Sequence, residues 1–224
     1  MRAFFIFIWH TLQMRASIEA YKTNNMYVFL SDLVGVWVPE VWVNVAKKTG
    51  IDELKLTTRD INDYDVLMKH RIKILKEHHL TLKDIQNVIA TIAPIEGALD
   101  MLNWIRSVAQ IHIVSDTFIE FANPLMAQLD RPSLFCNYLD ISDDGMVVGY
   151  NLRQCDQKRE VVKAFKQMNY EVVAFGDSYN DISMLQEAHH GILYRPPLNV
   201  MNDYPEFPVV QNYDELRAKL TPFI

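Results

Sequence analysis

Polar residues follow three predicted strands and open one predicted helix, and their types suit phosphate chemistry with a divalent metal. Asp32 ends the first strand pattern, Ser115-Asp116-Thr117 ends a second, Lys158 opens a helix pattern, and Asp177 with Asp181 follows a third strand. Carboxylates bind hard cations and can attack phosphorus, while a hydroxyl and a lysine bind phosphoryl oxygens. Alone, a strand-end Asp or Ser is often a helix cap, and a single Lys is usually a solvated charge. Their order and placement together indicate one site.

The elements that must position these residues alternate between β-prone and helical patterns. This rhythm predicts the α/β class, with a Rossmann-like parallel sheet whose ligands bind outside the carboxyl ends of the strands. Alternating apolar residues around Asp143-Asp144-Gly145 predict a short antiparallel β-hairpin between Cys136 and Leu152. The predicted strands are YVFLSDL at 27–33, IHIVS at 111–115, EVVAFG at 171–176 and GILY at 191–194.

Residues 39–92 form a predicted helical cap inserted into a core made of residues 26–38 and 93–224. Pro39 begins the first helix and Gly50 stops it, and a capping-box pattern begins the third helix at Thr81. In the second helix, Arg71 occupies a position where the period requires an apolar residue. Its planar guanidinium suits a carboxylate, either of a ligand or of an internal acid, Asp63 or Asp65.

Composition excludes several classes of protein. The 224 residues carry 22 Lys and Arg against 28 Asp and Glu, a net charge of −6, which excludes a strongly basic nucleic-acid binder. Beyond residue 25 no apolar run is long enough to span a membrane. Cys136 and Cys155 form neither a disulfide framework nor a zinc pattern, so we expect a cytoplasmic protein.

The first 25 residues are predicted to be a leader outside the fold. The run AFFIFIW behind Arg2 could begin a secretory signal, but it is short and polar residues soon interrupt it. We favour a fold that begins at Met26, with a start codon assigned too far upstream.

Four motifs resemble those of the haloacid dehalogenase-like phosphohydrolases, and within them the phosphoserine phosphatases. The resemblance covers about residue 26 to the C-terminus, and the last motif is highly specific. The four are SDLVG at 31–35, VSDT at 114–117, QKR at 157–159 and FGDSYNDISM at 175–184. Three further segments are similar to the phosphoserine:homoserine phosphotransferase branch: VPEVW at 38–42, RDINDYDVLMKHRIKIL at 59–75 and SDTFIEF at 115–121.

The resemblance implies hydrolysis of O-phospho-L-serine to serine and phosphate, with Mg²⁺ as cofactor. Asp32 would be the nucleophile that becomes an aspartyl-phosphate, and Ser115 and Lys158 would hold the transferring phosphoryl group. The implied Mg²⁺ ligands are Asp32, Asp177 and the backbone carbonyl of Val34, with Asp181 in support.

The same resemblance implies how the substrate is recognised. Asp116 and Asn180 would line the phosphate pocket. On the cap, Glu40 would face the amino group and Arg71 the carboxylate of an amino-acid phosphate. Homoserine would be an alternative phosphoryl acceptor in amino-acid biosynthesis, and a homodimer is left open.

One residue departs from the family pattern. Family members carry Asp or Glu two residues after the nucleophile, where the acid protonates the leaving alkoxide and later activates water, but this chain has Val34. Loss of such a group costs about 10²–10⁴ in rate, roughly 3–5 kcal/mol of barrier.

Three interpretations of Val34 follow: a slow or inactive phosphatase that still binds phosphoserine, an enzyme with a substitute acid, or a decayed or misread gene. The competing class is a catalytically silent binding protein that keeps the pocket. A receiver-type signalling domain would be near half this length and would lack the cap and the sequence GDSYND.

Overall fold

The structure is a computed structural model that describes residues 26–57, 60–61 and 63–224. The predicted leader, residues 1–25, lies outside the described residues, as do Arg59 and Asn62 of the cap motif. In the described ranges, no helix has both the length and the apolar character that crossing a bilayer would need.

A seven-stranded sheet organises the described part of the chain, with strand order β4-β3-β2-β1-β5-β6-β7. All neighbouring pairs are parallel except β3 and β4, which form the predicted antiparallel hairpin. The α/β class with a mainly parallel sheet is therefore confirmed. The strands are β1 (Met26–Ser31), β2 (Gln110–Phe118), β3 (Leu134–Ile141), β4 (Val147–Asn151), β5 (Tyr170–Gly176), β6 (His190–Tyr194) and β7 (Val209–Val210).

Helices bury both faces of this sheet, as the alternation of side chains in β1 shows. Phe29 joins the larger apolar cluster with α4 and α9, while Val28 and Leu30 join a second cluster with α6 and α7. In the described residues the helices are α1 (Val41–Thr49), α2 (Tyr64–Glu77), α3 (Leu82–Ile89), α4 (Ala98–Val108), α5 (Ile119–Gln128), α6 (Gln157–Gln167), α7 (Ile182–Glu187), α8 (Leu198–Asp203) and α9 (Tyr213–Leu220). Short 3₁₀ turns occupy Asp52–Lys55, Tyr179–Asp181 and Thr221–Phe223.

Four helices, α1 to α4, lie between β1 and β2 in the chain, and the first three fall within residues 39–92. Local signals set their ends. Gly50 closes α1 in the left-handed region at φ 75°, and Thr81 and Asp84 form the predicted capping box of α3. The helices contact the rest of the protein through Gln86 Nε2, which donates to Glu120 O at 2.8 Å, and Leu82 N, which donates to Gly145 O at 2.8 Å. The division into a core and a cap domain stays a prediction.

Strand β2 runs further than the sequence pattern predicts. The pattern ends this strand at Ser115, whereas the structure continues it to Phe118, with an irregular register against β3 between Val114 and Phe118. Three residues of β2 thus stand opposite one residue of β3. Such a bulge re-aims side chains, and it contains Ser115 and Asp116.

Trp37 fixes the loop that follows β1. Its side chain is fully buried, and its indole N–H donates to Ser31 Oγ at 2.7 Å. The ring meets Phe175 edge-on at 5.9 Å and stacks on Tyr213 at 5.8 Å between centroids. The Tyr213 hydroxyl in turn donates to Val36 O at 2.6 Å. The segment next to Asp32 is therefore held by both β5 and α9.

We expect Trp37→Ala to lower the free energy of unfolding by about 3–5 kcal/mol, because a large buried ring leaves a cavity. Trp37→Phe should cost less, since an aromatic ring remains between Phe175 and Tyr213. Urea unfolding followed by circular dichroism measures both. Equal, small losses for the two variants would show that the loop does not depend on this ring.

Candidate active site

Three neighbouring strands bring the predicted acidic and hydroxyl groups together. Asp32 follows β1 and Asp177 follows β5, while Ser115 and Asp116 lie in the irregular end of β2. Strand β1 pairs in parallel with both β2 and β5, so these residues lie together at the carboxyl-terminal ends of the three strands. The backbone N–H of Asp32 donates to Phe175 O at 3.1 Å, which extends the β1–β5 pairing to the site itself.

Lys158 lies at the centre of the cluster, in the first turn of α6. Its side chain is 2% exposed, and Nζ lies 2.7 Å from Asp181 Oδ1, 3.0 Å from Asp32 Oδ1 and 3.7 Å from Asp116 Oδ2. Burial acts to lower the pKa of Lys158, but the three carboxylates outweigh it and hold the pKa well above its ordinary value. The ammonium therefore remains charged inside the protein.

Asp32 has the opposite balance. Burial raises the pKa of its carboxyl well above the ordinary value; Lys158 acts to lower this pKa, but burial together with repulsion from Asp181 and Asp177 outweighs that attraction. Although Oδ1 lies close to Lys158 Nζ, it is buried and accepts no hydrogen bond. A buried carboxylate oxygen without a donor has a lone pair available for a cation or for a phosphorus atom.

The carboxylates of Asp32, Asp177 and Asp181 each offer an oxygen within 4.8 Å of the others, a spacing that fits a metal ion. Asp181 already uses both oxygens, because Oδ1 binds Lys158 and Oδ2 accepts the backbone N–H groups of Asp177 at 2.9 Å and Ser178 at 3.0 Å. This leaves Asp32 and Asp177 as the acids that suit a hard divalent cation.

Two glycines allow these carboxylates to lie against the backbone. A Cβ on Gly35 would lie 2.4 Å from the Asp177 carboxylate, and one on Gly176 would lie 2.3 Å from that of Asp181. Gly35 also has φ +81°, in the left-handed region. The donor set and its cradle therefore fit a divalent metal ion.

Asp116 lies outside the group of carboxylates that could hold a metal ion, and two side-chain amides hold it in place. Gln157 Nε2 donates to its Oδ1 at 3.1 Å and Asn180 Nδ2 donates to its Oδ2 at 3.0 Å. Burial opposes ionisation, but Lys158 and these amides lower the pKa of Asp116 below its ordinary value. Ser115 is buried beside it, and its carbonyl accepts from Gln157 at 3.0 Å.

Sequence reasoning missed two amides that position this region. Gln157 was quoted only as part of the motif QKR, and Asn137 was not singled out. Asn137 is 1% exposed, donates to Asp116 O at 3.1 Å and accepts from Arg153 N at 3.0 Å. Its polar type at the start of the predicted β-hairpin was the available signal.

Arg71 is a buried residue of α2. Its guanidinium stacks over the Trp42 ring at 4.5 Å, and Nη2 donates to Leu56 O at 2.8 Å. Nε is buried without a hydrogen-bond partner. Burial lowers the pKa of Arg71 to about 10, against the influence of Tyr64 and Glu40.

Asp63 and Asp65, the two acids considered as internal salt-bridge partners of Arg71, contact other groups instead. Asp63 caps α2 by accepting from the N–H groups of Asp65 and Val66. Asp65 pairs with Lys69 at 2.6 Å and accepts from the Tyr150 hydroxyl.

Tyr64 lies between the Arg71 side and the carboxylate cluster. Tyr64 precedes Arg71 by two helical turns, and its hydroxyl donates to Asp116 O at 2.9 Å. Burial raises the pKa of Tyr64, as does Asp116, while Arg71 and Lys158 act in the opposite direction. This side chain therefore connects α2 directly to the backbone of Asp116.

Val34 stands in the turn between Asp32 and Trp37. Its backbone forms an isolated bridge with Val38, and its half-buried side chain packs against the larger apolar cluster. The side chain has no proton to donate or accept, so the position can contribute only its backbone carbonyl to polar chemistry.

We expect Asp32→Asn to raise the Tm of the metal-free protein at neutral pH, because the variant removes a repelled carboxylate while Asp181 still neutralises Lys158. About 1 kcal/mol corresponds to about 2–4 °C at this chain length. Since the folded-state pKa of Asp32 lies above its ordinary 3.8, its ionisation penalty is absent below that pH and grows as the pH rises. The gain should accordingly vanish in acid. Thermal scans in EDTA across pH test this, and a lower Tm for the variant at neutral pH would contradict it.

Comparisons with known proteins show what the chain is similar to. A family model for a haloacid dehalogenase-like hydrolase matches residues 17–189. Phosphoserine phosphatase ThrH of Pseudomonas aeruginosa is 56% identical over 194 residues, which cover 87% of this chain and 95% of that protein. A phosphoserine phosphatase of Pseudomonas syringae pv. tomato is 54% identical over 188 residues, 84% of this chain and 79% of that protein.

The solved structures share the fold. One described as a phospho-aspartyl intermediate analogue of phosphoserine phosphatase superposes with a TM-score of 0.71 at 20% identity, over 90% of this chain and all of that one. The match of the family model to most of the sequence, together with the relatives above 50% identity, establishes the family. The chain belongs to the haloacid dehalogenase-like hydrolases.

Proposed function

We propose that this chain is a magnesium-dependent phosphoserine phosphatase that forms an aspartyl-phosphate on Asp32. The observation that carries the proposal is the buried Asp32 oxygen, which accepts no hydrogen bond and lies beside Lys158 and Asp177. The two curated relatives above 50% identity are named phosphoserine phosphatases, which supports phosphoserine as the substrate.

In the first step, an oxygen of Asp32 attacks phosphorus, an O–P bond forms, and the P–O bond to serine breaks. Ser115 and Lys158 would hold the phosphoryl oxygens, since both are buried at the same sheet edge. In the second step, water attacks phosphorus and releases Asp32 and phosphate. Homoserine in place of water would give phosphotransfer.

Mg²⁺ would be held by Asp32, Asp177 and the carbonyl of Val34, and when bound it supplies Lewis-acid neutralisation of the phosphoryl charge. Asp181 would support the metal site without binding the ion, because its two oxygens orient Lys158 and the loop after β5. Asp116 and Asn180 would line the phosphate pocket through their mutual hydrogen bond.

The amino-acid end of the substrate would lie under α1 to α3, which we propose as a cap domain over residues 39–92. Arg71 presents a planar fork with an unpaired Nε, which suits a carboxylate. Glu40, at the start of α1, is near enough to influence the pKa of Arg71 and would face the ammonium group. Both cysteines are free thiols, which suits the cytoplasm as the site of action.

Magnesium-dependent release of phosphate from O-phosphoserine tests the function. Asp32→Asn should abolish release, and Val34→Glu should raise turnover about 10²–10⁴-fold, because it restores a proton-transfer group next to the nucleophile. Val34→Gln is the matched control, since glutamine has the size of glutamate but does not act as a general acid or base.

Two results would contradict parts of this account. Retained activity in Asp32→Asn would exclude this nucleophile. A fast parent chain that Val34→Glu does not improve would mean that another acid operates. Binding of phosphoserine without measurable turnover in any variant would favour the alternative function, a silent phosphoserine-binding protein.

Arg71→Met tests substrate recognition. We expect it to lower kcat/KM for phosphoserine about 10–100-fold, through KM, because a hydrogen bond to a charged group is lost. Phosphoethanolamine lacks the carboxylate, so its kcat/KM should be unchanged by the substitution. A similar loss for both substrates would indicate that Arg71 supports the cap rather than binding the carboxylate.

A further inference from the structure

Lys158 and the two carboxylates that share its ammonium with Asp32 are already engaged. Lys158 is surrounded by carboxylates, and Asp181 accepts from Lys158 and from two backbone N–H groups. Asp116 accepts from Gln157 and Asn180. No hydrogen bond or ion pair joins a histidine to this cluster in the described part of the chain.

Tyr64 brings an O–H group from α2 to this cluster, but it is not a good acid. Its hydroxyl already donates to Asp116 O, and burial raises its pKa above the ordinary value. Position 34, two residues after the nucleophile, is a half-buried valine. The site is therefore equipped to bind and attack a phosphoryl group, but not to exchange protons with the leaving group or with water.

The missing proton transfer affects donors unequally. The leaving group of phosphoserine is the alkoxide of serine, a strong base that needs a proton as the P–O bond breaks. The leaving group of an acyl phosphate is a carboxylate, and that of an aryl phosphate is a phenolate. Each carries off the bonding electron pair as a stable anion. Attack by Asp32 on these donors needs no acid, so Val34 does not slow it.

The second step is slowed for every donor. Water must lose a proton as its oxygen binds phosphorus and the bond from phosphorus to the Asp32 oxygen breaks. A valine at position 34 cannot take that proton, and the engaged carboxylates would have to give up Lys158 or backbone partners to do so. The covalent phosphoryl group on Asp32 should therefore accumulate.

We propose that this chain has a second activity: it takes a phosphoryl group from acyl and aryl phosphates and keeps it as a long-lived aspartyl-phosphate on Asp32. The inference rests on the proposed function, because it uses the same nucleophile and phosphoryl pocket. It adds a donor class whose members need neither Glu40 nor Arg71. The phosphorylated chain is the resting species whenever such donors are present.

The experiment is to incubate the Mg²⁺-loaded full chain with acetyl phosphate or 4-nitrophenyl phosphate and measure the intact mass after an acid quench. We expect one added phosphoryl group per chain, which hydroxylamine removes because an acyl phosphate reacts with it. After the donor is removed, the adduct should decay about 10²–10⁴-fold faster in Val34→Glu than in the parent. Val34→Gln should decay far more slowly than Val34→Glu, and Asp32→Asn should gain no mass.

The outcomes separate this inference from the proposed function. Phosphoserine turnover through Asp32 with no adduct from either donor would overturn the inference and leave the proposed function standing. An adduct that survives in Asp32→Asn would remove the nucleophile and both proposals with it. Equal decay in Val34→Glu and Val34→Gln would overturn the role of proton transfer. Should both variants fail to fold, low adduct occupancy in the parent during steady turnover of acetyl phosphate is by itself contradictory.

Discussion

A single buried ammonium, that of Lys158, makes the rest of the site possible. It lies within 4 Å of Asp181, Asp32 and Asp116, so one positive charge is shared among three carboxylates. Burying a charge is costly unless it is paired and hydrogen-bonded, and Lys158 meets this requirement mainly through Asp181. At Asp32, burial together with repulsion from Asp181 and Asp177 outweighs the attraction of Lys158, so its pKa is raised; at Asp116, Lys158 and two amides outweigh burial, so its pKa is lowered.

The excess of negative charge has a consequence for the order of binding. A phosphoryl group is itself anionic, and the cluster of Asp32, Asp177 and Asp181 would repel it. A divalent cation between Asp32 and Asp177 reverses this, so cation binding and phosphate binding should be positively coupled. The fold accepts an electrostatic cost in the metal-free state in exchange for a nucleophile whose Oδ1 accepts no hydrogen bond.

Sequence patterns predicted the parts of this site that depend on local signals. Asp32 and Asp177 were found because they directly follow buried strands, and the Thr81 capping box and Gly50 gave correct helix ends. Tertiary contacts explain what was missed. Asn137 acts across 21 residues on Asp116, and the bulge that aims Ser115 arises from pairing with β3. The partner of Arg71 is the carbonyl of Leu56, which no residue type can reveal. The last strand, β7, and the helices α8 and α9 have patterns too short or too polar to identify, yet Tyr213 of α9 supports the loop beside Asp32.

The most direct test of the central claim is a crystal structure with Mg²⁺ and beryllium trifluoride, an analogue of the phosphoryl group. The account predicts a bond from beryllium to an oxygen of Asp32, with fluorides against Ser115 and Lys158 and the cation between Asp32 and Asp177. Beryllium trifluoride on another residue, or Mg²⁺ that displaces Lys158 from Asp181, would contradict it.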